Sequence, residues 1–121
     1  MEPMVDLKDA IQRHAQWKFR FREALLKSEQ MTVETISKDD HCELGKWLKG
    51  EARTLYGQCK AYADCLAKHT AFHVEAGKLA VVVNAKHKQE AERMLANGSA
   101  FSEASRAVVV SLIELQHEIE L

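Results

Sequence analysis

Two histidines, His69 and His73, stand four residues apart in the segment Lys68-His69-Thr70-Ala71-Phe72-His73-Val74. On an α-helix that spacing sets both imidazoles on one face, one turn apart, where they can chelate a single ion. They lie within an apolar stripe, Leu55, Cys59, Tyr62, Leu66, His69, His73, Ala76, Ala80 and Val83. A buried imidazole left without a partner costs about 1–3 kcal/mol, so polar partners are expected from other helices. Two stand out: His14, which interrupts an inward stripe of Leu7, Ile11, Phe21 and Leu25, and Cys42, near the start of a short helical segment. Three imidazoles and one thiolate form a complete tetrahedral set for Zn²⁺, a borderline-soft ion that accepts both ligand types. The spacings of 28, 27 and 4 residues make only the last pair local. The site would therefore tie three helices together and contribute to folding directly.

The elements that must position these groups read as helices. Five Gly and one Pro in 121 residues leave few breaks, and the apolar residues recur at intervals of three and four. One long helix is predicted from Asp6 to Lys27, with Trp17 and Lys18 sharing an intermediate position. Ser28 to Lys38, with Thr32, Val33, Thr35, Ile36 and Ser37, reads as an irregular connection. A short helix through Cys42-Glu43-Leu44-Gly45-Lys46-Trp47-Leu48 is expected to start at a cap supplied by Asp39 or Asp40 and to end at Gly50. Cys42 in its first turn would be favoured as a thiolate by the helix dipole. A third helix is predicted from Glu51 to Lys86, with possible bends at Gly57 or Gly77, then a short one from Lys88 to Leu95 stopped by Asn97-Gly98. The last spans Ser102 to Glu120, with Ser102 as N-cap and Val108, Leu112, Leu115 and Ile119 inward. The expected fold is all-α, a four-helix bundle with an extra short helix carrying the cysteine, in a single domain over residues 1–121.

The residues His14-Ala-Gln-Trp17-Lys18, Cys42-Glu-Leu44-Gly45-Lys46-Trp47-Leu48 and His69-Thr-Ala-Phe72-His73 resemble, in order and near spacing, the bacterial chemoreceptor zinc-binding domain family. The resemblance covers nearly the whole chain. It implies a helical bundle holding one zinc through His14, Cys42, His69 and His73, often as a homodimer, usually attached to a chemoreceptor or a diguanylate cyclase. It also implies a role in sensing zinc, or oxidants such as hypochlorous acid through the zinc-bound cysteine. No cyclase-type glycine-rich motif or long chemoreceptor coiled coil is seen in this sequence. The chain therefore reads as a free-standing form whose output passes through a partner.

Seventeen Lys plus Arg against 18 Asp plus Glu give a net charge of −1, and no basic run with interleaved aromatics points to nucleic acid. The N-terminus lacks the basic and apolar regions of a signal peptide. The longest apolar run, Leu79 to Val83, is too short to span a bilayer. A cytoplasmic protein with no membrane or nucleic-acid partner is the expectation. His41, adjacent to Cys42, would point about 100° away from it on a helix and is placed outside the ligand set. His87 and His117 are read as surface residues, Trp17 and Trp47 as core or dimer-interface anchors, and Cys65 as a small packed residue or a second thiol near the site.

Two functions compete. One is a regulatory zinc module whose thiolate responds to zinc level or oxidant; the other is a purely structural zinc in a dimerisation or interaction module. An enzyme fits poorly, because a catalytic zinc keeps a position open and no general base stands beside a nucleophile. A hemerythrin-like di-iron bundle would need carboxylate ligands that have no counterparts here.

Overall fold

The computed structural model describes residues 7–40 and 42–120, all of its regular structure helical. Among the described residues eight helices follow one another: α1 (Leu7–Ala15), α2 (Trp17–Lys27), α3 (Val33–Ser37), α4 (Glu43–Lys49), α5 (Glu51–Tyr56), α6 (Lys60–Asn84), α7 (Lys88–Leu95) and α8 (Ala100–Glu120). The fold is all-α, as its apolar periodicity implied. Helix α6 is its axis: α8 packs along it most extensively, α3 lies against it, and α2, α4, α5 and α7 touch it. Among the described residues no helix is long and apolar enough to cross a membrane.

Several boundaries differ from the sequence expectation for physical reasons. The single helix predicted from Asp6 to Lys27 divides at Gln16, whose φ of −86° and ψ of −7° flatten the turn; α1 then follows α8 while α2 turns to α6 and α7. Within the expected irregular connection lies α3, because Ile36 is buried against α6. The helix predicted from Glu51 to Lys86 breaks at Gly57–Cys59 into α5 and α6. That break resets the helical phase, so Leu55 leaves the proposed stripe and is 59% exposed. Ser99, rather than Ser102, caps α8: its Oγ accepts from the Ser102 amide at 3.1 Å. Gly98 stands just before it at φ +87°, a conformation glycine adopts without strain.

The core gathers Phe21, Leu25, Leu48, Phe72, Leu79, Leu95, Phe101, Val108, Leu112 and Leu115, all nearly or fully buried. Phe72 sits at its centre, with its ring centroid 5.3 Å from that of His14 and 5.7 Å from that of Phe101. Aromatic packing therefore reaches the imidazoles directly.

The segment from Met31 to Asp40 runs back along one face of α6 and is fastened to it in steps. At its start, the Met31 amide donates to Asn84 Oδ1 (2.7 Å) and the Asn84 amide group donates to the Met31 carbonyl (2.8 Å). A turn or two further along, Ser37 packs so close to Gly77 that an added Cβ would meet Ser37 Cβ at 2.6 Å. Then the Ile36 carbonyl accepts from His73, and Asp39 reaches Thr70. Fastened in this way, the segment delivers Cys42 to the histidines.

Candidate metal centre

Two helices supply the three histidines, His14 from α1 and His69 with His73 from α6, and backbone carbonyls fix two of the rings. His14, near the end of α1, donates from Nδ1 to the Ala10 carbonyl at 2.8 Å, and His73 on α6 donates from Nδ1 to the Ile36 carbonyl at 2.8 Å. A carbonyl only accepts, so these bonds place the proton on Nδ1 and leave the Nε2 lone pair for another partner. His14 Nε2 is fully buried and has no hydrogen-bond partner among the described residues. It faces a cluster in which His69 Nε2 lies 3.1 Å from His73 Nε2, and Cys42 Sγ lies 3.3 Å and 3.7 Å from those two nitrogens. One donor atom from each of His14, Cys42, His69 and His73 falls within 4.8 Å of every other.

These separations suit a single small ion. Metal–nitrogen bonds of about 2.0 Å and a metal–sulfur bond of about 2.3 Å place the corners of a tetrahedron roughly 3.3–3.6 Å apart. Electrostatics agree with the geometry. Burial holds the His14 and His73 imidazoles below their ordinary pKa, and burial with the neighbouring imidazoles pushes His69 down to about 3. All three are neutral at pH 7, the form that ligates. An orphaned buried nitrogen among neutral imidazoles and a thiol fits a metal better than it fits a hydrogen-bonded core.

Cys42 differs from its expected setting. Neither Asp39 nor Asp40 caps the short helix; Cys42 is itself the N-cap of α4, its Sγ accepting from the Gly45 amide at 3.3 Å. The helix amides do aim at the sulfur. Yet burial pushes the thiol above its usual range and outweighs the bonds from Gly45 and Leu44, so the dipole alone does not yield the thiolate that was expected. A coordinated cation does, because its charge lowers the pKa of a ligating thiol. Of the four groups, the three histidines are buried and only Cys42 is half-buried.

The other described candidates fall outside this cluster. His87 and His117 are exposed, as their polar surroundings suggested. His41 lies outside the described residues. Trp47 is buried on α4, and Trp17 is half-buried, stacked near Phe21 with the Arg20 guanidinium 4.0 Å above its ring. Cys65 is fully buried and hydrogen-bonded with Ser111, and burial drives its thiol up to about 11. Its folded-state pKa is raised, so the neutral thiol persists well above the usual cysteine range and the nucleophilic thiolate is scarce. In the native chain at pH 8, iodoacetamide should therefore leave Cys65 unmodified while it labels Cys65 readily in urea. Native labelling of Cys65 at the unfolded rate would contradict its packed role.

Asp39, expected as a helix cap or as a hydrogen-bond partner of a ligand imidazole, instead joins Lys49 and Thr70 beside the site. Its side chain is only 12% exposed. Burial alone would raise its pKa, but hydrogen bonds from Lys49 and Thr70 outweigh this and hold the carboxyl below its ordinary range. No local signal marks that role, because its partners lie 10 and 31 residues away.

A helical bundle that converges three neutral imidazoles and one thiol on a single point defines a metal-binding domain, with a donor set suited to Zn²⁺. Residues 14–80 match the chemoreceptor zinc-binding domain, and the chain belongs to that family of zinc-binding signalling domains. The matched span begins at His14 and takes in Cys42, His69 and His73. No curated protein and no solved structure matches the chain.

Proposed function

We propose that this chain is a zinc-dependent regulatory module in which His14, Cys42, His69 and His73 hold one Zn²⁺ and Cys42 is the ligand through which the site responds. The observation that carries the reading is the asymmetry of the cluster: three buried histidines meet a cysteine that is only half-buried. When bound, the ion supplies positive charge that keeps Cys42 a thiolate and joins α1, α4 and α6. His14 and His73 present their Nε2 atoms because their Nδ1 protons are engaged by backbone carbonyls. An oxidant reaching the half-buried thiolate meets the most nucleophilic of the four donors. With hypochlorous acid the Cys42 sulfur gives up two electrons and gains hydroxyl, forming the sulfenic acid, while chlorine leaves as chloride. The sulfenic acid is a poorer ligand, and α4 loses one of its ties to α6. Depletion of zinc has the same structural consequence.

With all four positions filled by protein groups, the site keeps none for a substrate or an activated water, and a non-catalytic role is part of this reading. The same closure favours the second reading, a purely structural zinc in a dimerisation or interaction module. A cytoplasmic setting, association with a second copy, and readout through a chemoreceptor, a diguanylate cyclase or another signalling protein complete the proposal.

The test is to measure zinc and free thiol on one sample before and after a stoichiometric dose of hypochlorous acid. Release of about one zinc per chain together with loss of the Cys42 thiol is the expected result, and Cys42→Ser should abolish the response. Zinc retained beside an intact Cys42 thiol would leave a purely structural centre.

A further inference from the structure

Cys42 is the only one of the four donors that does not sit on α1 or α6. Its place against His69 and His73 depends on what ties α4 and the loop before it to α6; one tie is Tyr62 Oη, which donates to the Leu48 carbonyl at 2.6 Å. The bonds made directly by the sulfur are weak: the Gly45 amide at 3.3 Å and the Asp39 carbonyl at 3.9 Å. Stronger bonds occur three residues upstream. The Asp39 carboxylate accepts from Thr70 Oγ1 through Oδ2 at 2.5 Å and from Lys49 Nζ through Oδ1 at 2.8 Å. Thr70 directly follows His69 and is three residues before His73, while Lys49 closes α4. One carboxylate thus joins the histidine helix to both ends of the cysteine element, by way of its own loop and the last turn of α4. Hydrogen bonds to an ionised carboxylate are stronger than those between neutral groups.

We propose that Asp39, bridging Thr70 and Lys49, is a positioning residue that straps the Cys42 loop onto α6 and sets how readily the thiolate leaves the metal centre and is attacked. A further observation supports a mechanical role: the loop backbone at Asp39 lies directly on α4, where a Cβ at Gly45 would fall 1.5 Å from the Asp39 carbonyl oxygen. The loop therefore has little slack, and the Thr70 bond acts at its tightest point. Thr70 is exposed and has a second acceptor in the Leu66 carbonyl at 3.0 Å. Removing its hydroxyl therefore loosens the strap without opening the core.

This inference rests on the zinc reading above, and its test separates the two. Full-length wild type, Thr70→Val, Thr70→Ser and Asp39→Asn chains would be loaded with zinc, and alkylation of Cys42 by iodoacetamide followed by mass spectrometry. The cobalt-substituted chains would be compared by their sulfur-to-metal charge-transfer band. In wild type, zinc should protect Cys42 from alkylation. In Thr70→Val and Asp39→Asn, Cys42 should react on the order of tenfold faster while about one zinc per chain is still bound, the scale of effect seen when groups supporting metal ligands are removed. Their cobalt charge-transfer band should weaken, and Thr70→Ser should restore both readouts. A Thr70→Val chain that matches wild type in alkylation rate and cobalt spectrum would overturn the strap while leaving the zinc site intact. Wild-type Cys42 that zinc does not protect would overturn the zinc reading and the strap with it.

Discussion

Replacing His73 with alanine should lower zinc affinity by two to three orders of magnitude and remove most of the stabilisation that zinc confers. A structural zinc site is worth about 10–16 kcal/mol of binding free energy, so an even share among four ligands is about 2.5–4 kcal/mol each. His73 carries more than its share of structure, since its Nδ1 also holds the Ile36 carbonyl and hence α3. Competition against a chelator of known affinity measures the first effect; thermal unfolding at a series of zinc concentrations measures the second, because a ligand that binds only the folded chain raises the transition with its concentration. His14→Ala should resemble it in affinity but disturb α3 less, as its Nδ1 bond stays within α1. A His73→Ala chain that takes up zinc as tightly as wild type would remove His73 from the ligand set.

Gly45→Ala should be the most damaging single substitution outside the ligands. Its new Cβ would lie 1.5 Å from the Asp39 carbonyl oxygen and 3.2 Å from the Asp40 Cα, both backbone atoms. No rotamer change relieves such a clash. Either the loop lifts from α4 or α4 shifts, and both displace Cys42 from His69. A loss of about 3 kcal/mol in zinc-free stability is expected, the upper end for overpacking, read from urea unfolding at constant m-value. Zinc affinity should fall as well. Gly77→Ala should be milder, because Ser37 belongs to the five-residue α3, which can move as a unit. Equal unfolding midpoints for Gly45→Ala and wild type would show that the loop does not lie where the structure places it.

The four residues that the structure brings together were legible in the sequence because their side-chain chemistry is specific and their settings are helical. His69 and His73 at a spacing of four inside an apolar stripe announce a buried polar pair, and His14 repeats the anomaly on another stripe. What brings Cys42 to them was not legible. The Asn84–Met31 clasp and the Asp39–Thr70 bond join residues 53 and 31 positions apart, and common polar residues in such pairs leave no local pattern. Cys42 as an N-cap escaped for a different reason: capping preference favours side-chain oxygens, so Asp39 and Asp40 were the natural choice. The turn at Gln16 involves neither glycine nor proline and follows from α1 and α2 packing on different helices. Leu55 shows the limit of stripe reasoning, since a periodicity carried across the break at Gly57–Cys59 loses its phase. Cys65, read from the sequence as either a packed residue or a second thiol near the site, is fully buried.

The central claim is that one zinc is held by three imidazole nitrogens and one cysteine sulfur. X-ray absorption at the zinc edge of the purified chain, with metal content determined on the same sample, tests it most directly. About one zinc per chain is predicted, with a shell of one sulfur at about 2.3 Å and three nitrogens at about 2.0 Å, and Cys42→Ser should remove the sulfur contribution alone. A first shell without sulfur, or one with two sulfurs, would contradict the assignment.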